Sequence, residues 1–160
     1  MRIDSDIKLD YKDVLIRPKR STLSSRKQVQ LERGFTFRNY QPDFPDNIKH
    51  KHYRGVPIMA SNMDGVGTFA MADKLAEGDI FTCLVKTYSV EQLVEYFNSN
   101  IPERTENVAM SIGTGTIDFD KLEAVYNKVS KLKYVCMDIA NGYSDHFAQH
   151  VRKVREAFPH

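Results

Sequence analysis

Four short apolar runs, each followed by a stretch with helical periodicity, constrain the fold of this chain more than any other feature. The runs cover residues 56–60, 80–85, 108–112 and 134–139. Their starts lie about 25 residues apart, a normal length for a strand–helix unit. Each run is apolar nearly throughout, which is typical of strands buried on both faces of a parallel sheet. The sequence therefore predicts four successive βα units over residues 56–160.

The helical stretches between the runs carry start and stop signals. Ser89 precedes Gln92 by three residues, the spacing of a capping box, and Ser144 is placed to cap the last helix. Residues 68–77 are rich in Ala and Met and end at Gly78. Two further apolar stripes at three-to-four spacing are formed by Phe119, Leu122, Val125, Tyr126 and Val129, and by Phe147, Val151, Val154 and Phe158.

Four βα units favour an α/β fold, for which two architectures compete. One is a doubly wound open sheet, and the other is a (β/α)8 barrel, also called a TIM barrel. No Gly-x-Gly-x-x-Gly pattern closely follows the first run, which weakens the dinucleotide-binding form of the open sheet. Composition alone does not decide between the two.

The first 55 residues follow a different pattern. Val29, Leu31, Phe35 and Phe37 alternate like a strand around Gly34, which predicts a small hairpin. Residues 41–55 contain two prolines and several cations and predict a surface loop. We therefore interpret residues 1–160 as a single domain, with a short β-rich segment and loop (1–55) before the four βα units (56–160).

Composition excludes several classes of protein. Lys and Arg number 23 against 21 Asp and Glu, and a net charge of +2 argues against a dedicated nucleic-acid binder. No run approaches 18 apolar residues, so no membrane span is expected, and residues 1–10 lack the apolar centre of a signal peptide. We therefore expect a cytoplasmic protein.

The candidate metal ligands and nucleophiles are few. Two cysteines, Cys83 and Cys136, are too few for a disulfide scaffold and do not have the spacing of a zinc site. Both lie inside apolar runs, so we expect them to be buried free thiols. His146 and His150 have the i, i+4 spacing of metal ligands on a helix, but no third ligand is evident. We therefore expect no metal site and interpret the two histidines as a solvated helix surface.

Loops that follow the runs are rich in glycine and polar residues. They cover residues 62–68, 86–89, 113–116 and 138–144. Function in parallel α/β folds sits at this end of the strands. Lys86, directly at a strand end, either reaches solvent or meets an anionic ligand. Asp138 either hydrogen-bonds a ligand or stabilises a helix start.

Three blocks of these residues resemble the GMP reductases, within the larger family that includes IMP dehydrogenase. The blocks are LDYKDVLIRPKRSTL at 9–23, Asn62-Met63-Asp64 with Val66-Gly67-Thr68, and DIANGYS at 138–144. The resemblance extends over essentially all 160 residues. The RPKRST block and the short link between Phe97 and Val108 distinguish the chain from IMP dehydrogenases, most of which carry a regulatory CBS insertion near that link.

This resemblance implies the N-terminal half of a (β/α)8 barrel, usually tetrameric, that acts on GMP and IMP. It implies NADPH-dependent reductive deamination of GMP to IMP and ammonia. In that family a cysteine after the sixth strand attacks the purine C2 and expels ammonia, and NADPH then delivers a hydride. That cysteine and the site for a monovalent cation (K⁺) would lie beyond residue 160. The resemblance thus assigns no catalytic residue to this chain, which we expect to be inactive alone.

Nine positions match family residues that contact ligands. The cofactor contacts are Ser25, Arg26, Lys86, Asp138, Ile139 and Ala140, and the substrate contacts are Ser61, Asn62 and Met63. Ser25 and Arg26 match positions that reach the cofactor of a neighbouring subunit. The chain departs from the family at Val85-Lys86-Thr87-Tyr88, where His-Lys-His-Tyr is usual.

Three other interpretations remain open. The chain is an IMP dehydrogenase fragment without its insertion, a non-catalytic nucleotide-binding or assembly module, or a truncated product with no function of its own. Half a barrel also leaves its first and fourth strands as unpaired edges, which predicts self-association.

Overall fold

A computed structural model describes residues 5–36, 52–99 and 101–158 of the chain. They fall into two compact units, Met1–Gln30 and Leu31–His160. In the first unit, Tyr11–Asp13 and Arg26–Gln28 form single 3-10 turns. Asp10 and Ser25 cap these turns, and every described residue of this unit is exposed.

The second unit contains a five-stranded, mostly parallel sheet, so the protein has an α/β fold. Its strands are β1 (Arg33–Thr36), β2 (His52–Ala60), β3 (Ile80–Cys83), β4 (Val108–Ile112) and β5 (Val135–Met137). They lie in the order β1-β2-β3-β4-β5. β1 pairs with β2 antiparallel, and the remaining neighbours pair in parallel. Each of the four apolar runs therefore contains a strand, as predicted.

Five helices connect and follow the parallel strands. They are α1 (Phe69–Ala76), α2 (Val90–Phe97), α3 (Glu103–Glu106), α4 (Thr116–Tyr126) and α5 (Asp145–Ala157). The predicted caps are confirmed: Ser89 and Gln92 form a reciprocal capping box, and the Ser144 hydroxyl accepts from the Phe147 amide. The single turn α3 lies in the connection between α2 and β4. No helix among the described residues is long and apolar enough to cross a membrane.

Alternation along β3 and β4 places two clusters of side chains on opposite faces of the sheet. On the helix-covered face, Leu84, Met110 and Ile112 are fully buried against residues of α1, α2 and α4. The other face carries Phe81, Cys83 and Ala109, with Tyr53, Tyr134 and Cys136 beside them. Residues on both faces of the central strands are thus buried, as their almost entirely apolar sequence predicted.

The predicted hairpin around Gly34 is wrong. Gly34 lies within β1 and pairs with Arg54, because residues 52–55 supply the partner strand. Phe35 stacks on Tyr53 of that strand, with 5.9 Å between the ring centroids. The predicted surface loop over 41–55 is correspondingly wrong at 52–55, whereas Phe37 and residues 41–51 lie outside the described residues.

The prediction for the histidine pair is half wrong. His146 is exposed, but His150 is only 8% exposed. The ring of His150 packs edge-on against Phe119 of α4, with 6.2 Å between centroids. Helix packing therefore buries a residue that the sequence pattern had placed on a solvated helix surface.

Candidate functional site

The loops after β2 and β5 meet at the carboxyl edge of the parallel sheet. Asn62 Nδ2 donates to Asp138 Oδ2 over 3.0 Å, although β3 and β4 separate their two strands. In a flat sheet three strand spacings would place these backbones about 14 Å apart. The contact shows that the parallel strands curve so that their outermost members converge at this edge.

The loop after β2 is held in place by close backbone contact with the end of β3. Gly65 has a φ of 76° and Gly67 donates to Met63 O, which forms a tight turn before α1. Gly67 O accepts from the Val85 amide over 2.8 Å. An added side chain at Gly67 would begin 2.4 Å from Cys83 O. Glycine at this position therefore permits the loop to lie directly against β3.

Lys86 is exposed just beyond β3, and among the described residues it makes no salt bridge. Its carbonyl accepts from Lys121 Nζ of α4 over 2.8 Å. Its ammonium lies 4.0 Å from the point where a side chain on Gly113 would begin, and Asp118 Oδ2 lies 2.7 Å from the same point. Glycine at the end of β4 therefore leaves room for the Asp118 carboxylate, and the Lys86 ammonium lies nearby.

Lys121 and Asp118 are site neighbours that sequence reasoning missed. Both lie on α4, and neither was among the candidate residues. Burial lowers the pKa of Lys121, while Asp118 acts in the opposite direction. The sequence could have identified Asp118 by its position in the first turn of α4, directly after Gly115. An acidic residue in the first turn of a helix lies beside the end of the preceding strand.

Seven of the nine predicted ligand contacts lie in the second unit. Asn62 and Asp138 touch, and Ser61 and Met63 flank Asn62 on the same loop. The amide of Asp138 donates to Ile112 O over 2.9 Å. This hydrogen bond extends the β4–β5 ladder by one residue, so Ile139 and Ala140 follow directly after the paired part of the strand. Ser25 and Arg26 lie in the other unit, where the Ser25 hydroxyl caps the second 3-10 turn.

The two cysteines are free thiols. Cys83 is buried as predicted, whereas Cys136 is only partly buried. A hydrogen bond between them raises the pKa of Cys83 and lowers that of Cys136. Both side chains lie on the face of the sheet that the helices leave uncovered, below the carboxyl-edge loops.

The arrangement is suited to binding a polar, anionic ligand. The carboxyl edge offers the Lys86 ammonium, which makes no salt bridge to any described residue, a carboxylate already fixed by an amide, and turns with little side-chain bulk. Within the described ranges no cluster of three or more His, Cys, Asp and Glu side chains could hold a metal ion. The edge therefore provides recognition groups for phosphate, hydroxyl or amide.

A family model described as "IMP dehydrogenase / GMP reductase domain" matches residues 8–160. The chain therefore belongs to the IMP dehydrogenase / GMP reductase family. GMP reductase 2 of Bos taurus is 50% identical over 157 residues, which cover 98% of this chain and 42% of the bovine protein. GMP reductase of Escherichia coli O81 (strain ED1a) is 49% identical over 159 residues, covering 99% of this chain and 43% of that protein. The chain thus spans less than half the length of these relatives.

A solved structure agrees on the fold. The crystal structure of inosine 5′-monophosphate dehydrogenase from Legionella pneumophila superposes with a TM-score of 0.54 at 18% identity. The superposition covers 62% of this chain and 29% of the other. At this identity the likeness concerns the α/β architecture alone.

Proposed function

We propose that the chain forms the N-terminal half of a (β/α)8 barrel in an NADPH-dependent GMP reductase, the enzyme that converts GMP to IMP and ammonia. The curved sheet supports the barrel, since the side chains of Asn62 and Asp138, which follow the outermost parallel strands β2 and β5, could not meet across a flat sheet. Closure of a barrel needs such curvature. The near-50% identity to proteins named GMP reductase supports this activity over that of an IMP dehydrogenase.

The observation that carries the proposal is the Asn62–Asp138 hydrogen bond. Both residues belong to blocks that resemble the family, yet they are 76 positions apart in sequence. The contact unites a loop proposed to bind GMP with a strand end proposed to bind NADPH. Substrate and cofactor need such adjacent sites because hydride transfer requires close contact between them.

The residues at this edge fit NADPH on two observations. Lys86 presents an exposed ammonium with no salt bridge among the described residues, which suits a phosphate. Asp138 accepts from Asn62 and is placed to accept further hydrogen bonds from a ribose hydroxyl or a carboxamide. When bound, NADPH supplies the hydride.

The chain's own residues are proposed to bind and orient, not to break bonds. Ser61, Asn62 and Met63 hold the substrate side, and Lys86 with residues 138–140 holds the cofactor side. Ser25 and Arg26 are proposed to reach a neighbouring subunit's cofactor. Cys83 and Cys136 lie within β3 and β5 rather than in a loop, so neither is proposed as the nucleophile. A polypeptide of these 160 residues is therefore expected to bind ligand without turnover.

Fluorescence titration tests the cofactor site directly. We expect the purified chain to bind NADPH, and Lys86→Met to weaken binding about tenfold through loss of a charge-assisted hydrogen bond. Lys74→Met, on an exposed face of α1, is the matched control and should bind like the wild type. Equal binding by wild type and Lys86→Met would remove Lys86 from the site.

An absorbance assay separates binding from catalysis. With GMP and NADPH present, we expect no sustained oxidation of NADPH by the 160-residue polypeptide. Sustained GMP-dependent oxidation would contradict the assignment of a purely binding role. A preference for NAD with IMP over NADPH with GMP would instead identify an IMP dehydrogenase.

A further inference from the structure

The link between β3 and α2 carries Lys86, and a tyrosine two residues further on joins this link to α1. Tyr88 Oη accepts a hydrogen bond from the amide of Phe69, the first residue of α1, over 3.1 Å. The two rings also stack, with 3.8 Å between their centroids and 14° between their planes. Tyr88 was assigned no role in binding GMP or NADPH.

Helix α1 is the fixed partner in this contact. Ala72 is fully buried in the core, and Thr68 caps the start of the helix. The first amides of a helix have no acceptor within the helix, and the Tyr88 hydroxyl supplies one for the Phe69 amide. The same Phe69 ring stacks on Tyr96 of α2, with 4.3 Å between centroids. The hydroxyl of Tyr88 therefore binds to a part of the fold that is held independently of the link.

The column of rings ends in a charged pair. Arg104 of α3 lies over the Tyr96 ring, 4.5 Å from its centroid, and donates two hydrogen bonds to Asp73 of α1. Tyr88, Phe69 and Tyr96 are thus stacked in order and closed by a cation at the far end. This packing sets the position of the Tyr88 ring.

The contacts of the link surround Lys86 in sequence. Before it, the Val85 amide donates to the loop after β2, and the Lys86 carbonyl itself accepts from Lys121 Nζ. After it, two residues lead to the Ser89 cap of α2. Thr87 is exposed, whereas Tyr88 is half-buried against α1. The side chain of Tyr88 is therefore what joins this part of the link to α1.

We propose that Tyr88 is a positioning residue for the cofactor site, which holds the link against α1 so that the Lys86 ammonium stays beside Gly113 at the carboxyl edge. This inference rests on the proposed contact of Lys86 with NADPH. A side chain that binds a ligand needs others behind it to fix its place. Because α1 directly follows the loop proposed to bind GMP, Tyr88 also fixes the cofactor-binding lysine relative to that loop.

NADPH titration of Tyr88→Phe and Lys86→Met, singly and together, tests the proposal. Tyr88→Phe keeps the stacked ring and removes only the hydroxyl, and we expect it to weaken NADPH binding about fivefold. In the Lys86→Met background the same substitution should have no further effect, because it acts through Lys86. Tyr126→Phe, at the far end of α4, is the matched control and should bind like the wild type.

A merely structural role for Tyr88 gives a different result. In that case Tyr88→Phe would weaken binding equally in both backgrounds or not at all, and either result would overturn the proposal. Urea unfolding of each variant establishes that folded protein is being titrated. Unchanged binding by Lys86→Met would contradict the cofactor site itself, whereas an effect of Lys86→Met without one of Tyr88→Phe would contradict the role of Tyr88 alone.

Discussion

At the scale of single residues, Gly67 couples the loop after β2 to the end of β3. Adding a side chain there brings it to 2.4 Å from Cys83 O and 2.8 Å from Val85 N, both backbone atoms that cannot move aside cheaply. We predict that Gly67→Ala lowers the free energy of unfolding by about 1–3 kcal/mol, the range for overpacking. Gly142→Ala, whose nearest neighbour would be 3.7 Å away, should change it little. Urea denaturation of both variants checks this, and equal stability would show that the loop is not held as described.

Asp73 predicts a pH dependence of stability. Its two carboxylate oxygens accept from Arg104 Nε and Nη2 over 2.8 and 2.7 Å, and Tyr96 donates to one of them over 2.9 Å. The Arg104 hydrogen bonds hold the pKa of Asp73 below its ordinary value of 3.8, while burial opposes the shift. A lowered folded-state pKa stabilises the fold above pH 3.8, and this contribution is lost as pH falls further.

We therefore expect Asp73→Asn to cost about 1 kcal/mol at pH 7, a value reduced for the partial exposure of the pair. The difference from wild type should shrink as the pH falls below about 4. Asp120→Asn, on the exposed side of α4, serves as the control. Urea unfolding across this pH range measures the difference, and a constant difference would show that the Asp73 charge contributes nothing.

At the scale of elements, the helix caps are the clearest link from sequence to structure. Ser89 Oγ accepts from the Gln92 amide over 3.3 Å, and Gln92 Oε1 accepts from the Ser89 amide over 2.8 Å. We predict that Ser89→Ala costs about 1 kcal/mol of stability. Ser130→Ala, outside the helices, should be neutral in the same thermal unfolding measurement. A neutral Ser89→Ala would mean that packing alone holds the start of α2.

Elements with local signals were predictable, and those set by distant pairing were not. The strands within the four apolar runs and the helices after them follow from periodicity and caps, which act over a few residues. The pairing of Gly34 with Arg54 depends on a partner strand some twenty positions away, so alternation in residues 29–37 alone suggested the wrong hairpin. Burial of His150 likewise depends on Phe119 of α4, which no local pattern reveals.

At the scale of the whole molecule, exposed apolar positions predict association. Ile58 and Met59 at the end of β2 are 59% and 62% exposed. Beyond residue 55, the outer edge of β2 has no partner strand among the described residues. Such edges recruit other chains. We predict that light scattering gives a mass above that of one chain, and that Ile58→Lys lowers it. A monodisperse monomer of the wild type would contradict this.

The candidate site was predictable only in part for a similar reason. Lys86 and Asp138 were chosen as candidates because functional groups in parallel folds follow strand ends, a rule that needs no coordinates. The direct contact of Asn62 with Asp138 depends on sheet curvature, which the sequence of one strand does not encode. The placement of the Asp118 carboxylate against Gly113, near the Lys86 ammonium, arises in the same way, from the packing of α4 over the strand ends.

The most direct test of the proposed site is a double-mutant cycle on Asn62 and Asp138, measured by NADPH titration. If Asn62 orients Asp138 toward the cofactor, Asp138→Ala should weaken binding about tenfold and Asn62→Ala by less. The double variant should then bind no worse than Asp138→Ala alone, because residues in contact are energetically coupled. Effects that simply multiply, or no effect from either substitution, would contradict a shared binding site at the carboxyl edge of the sheet.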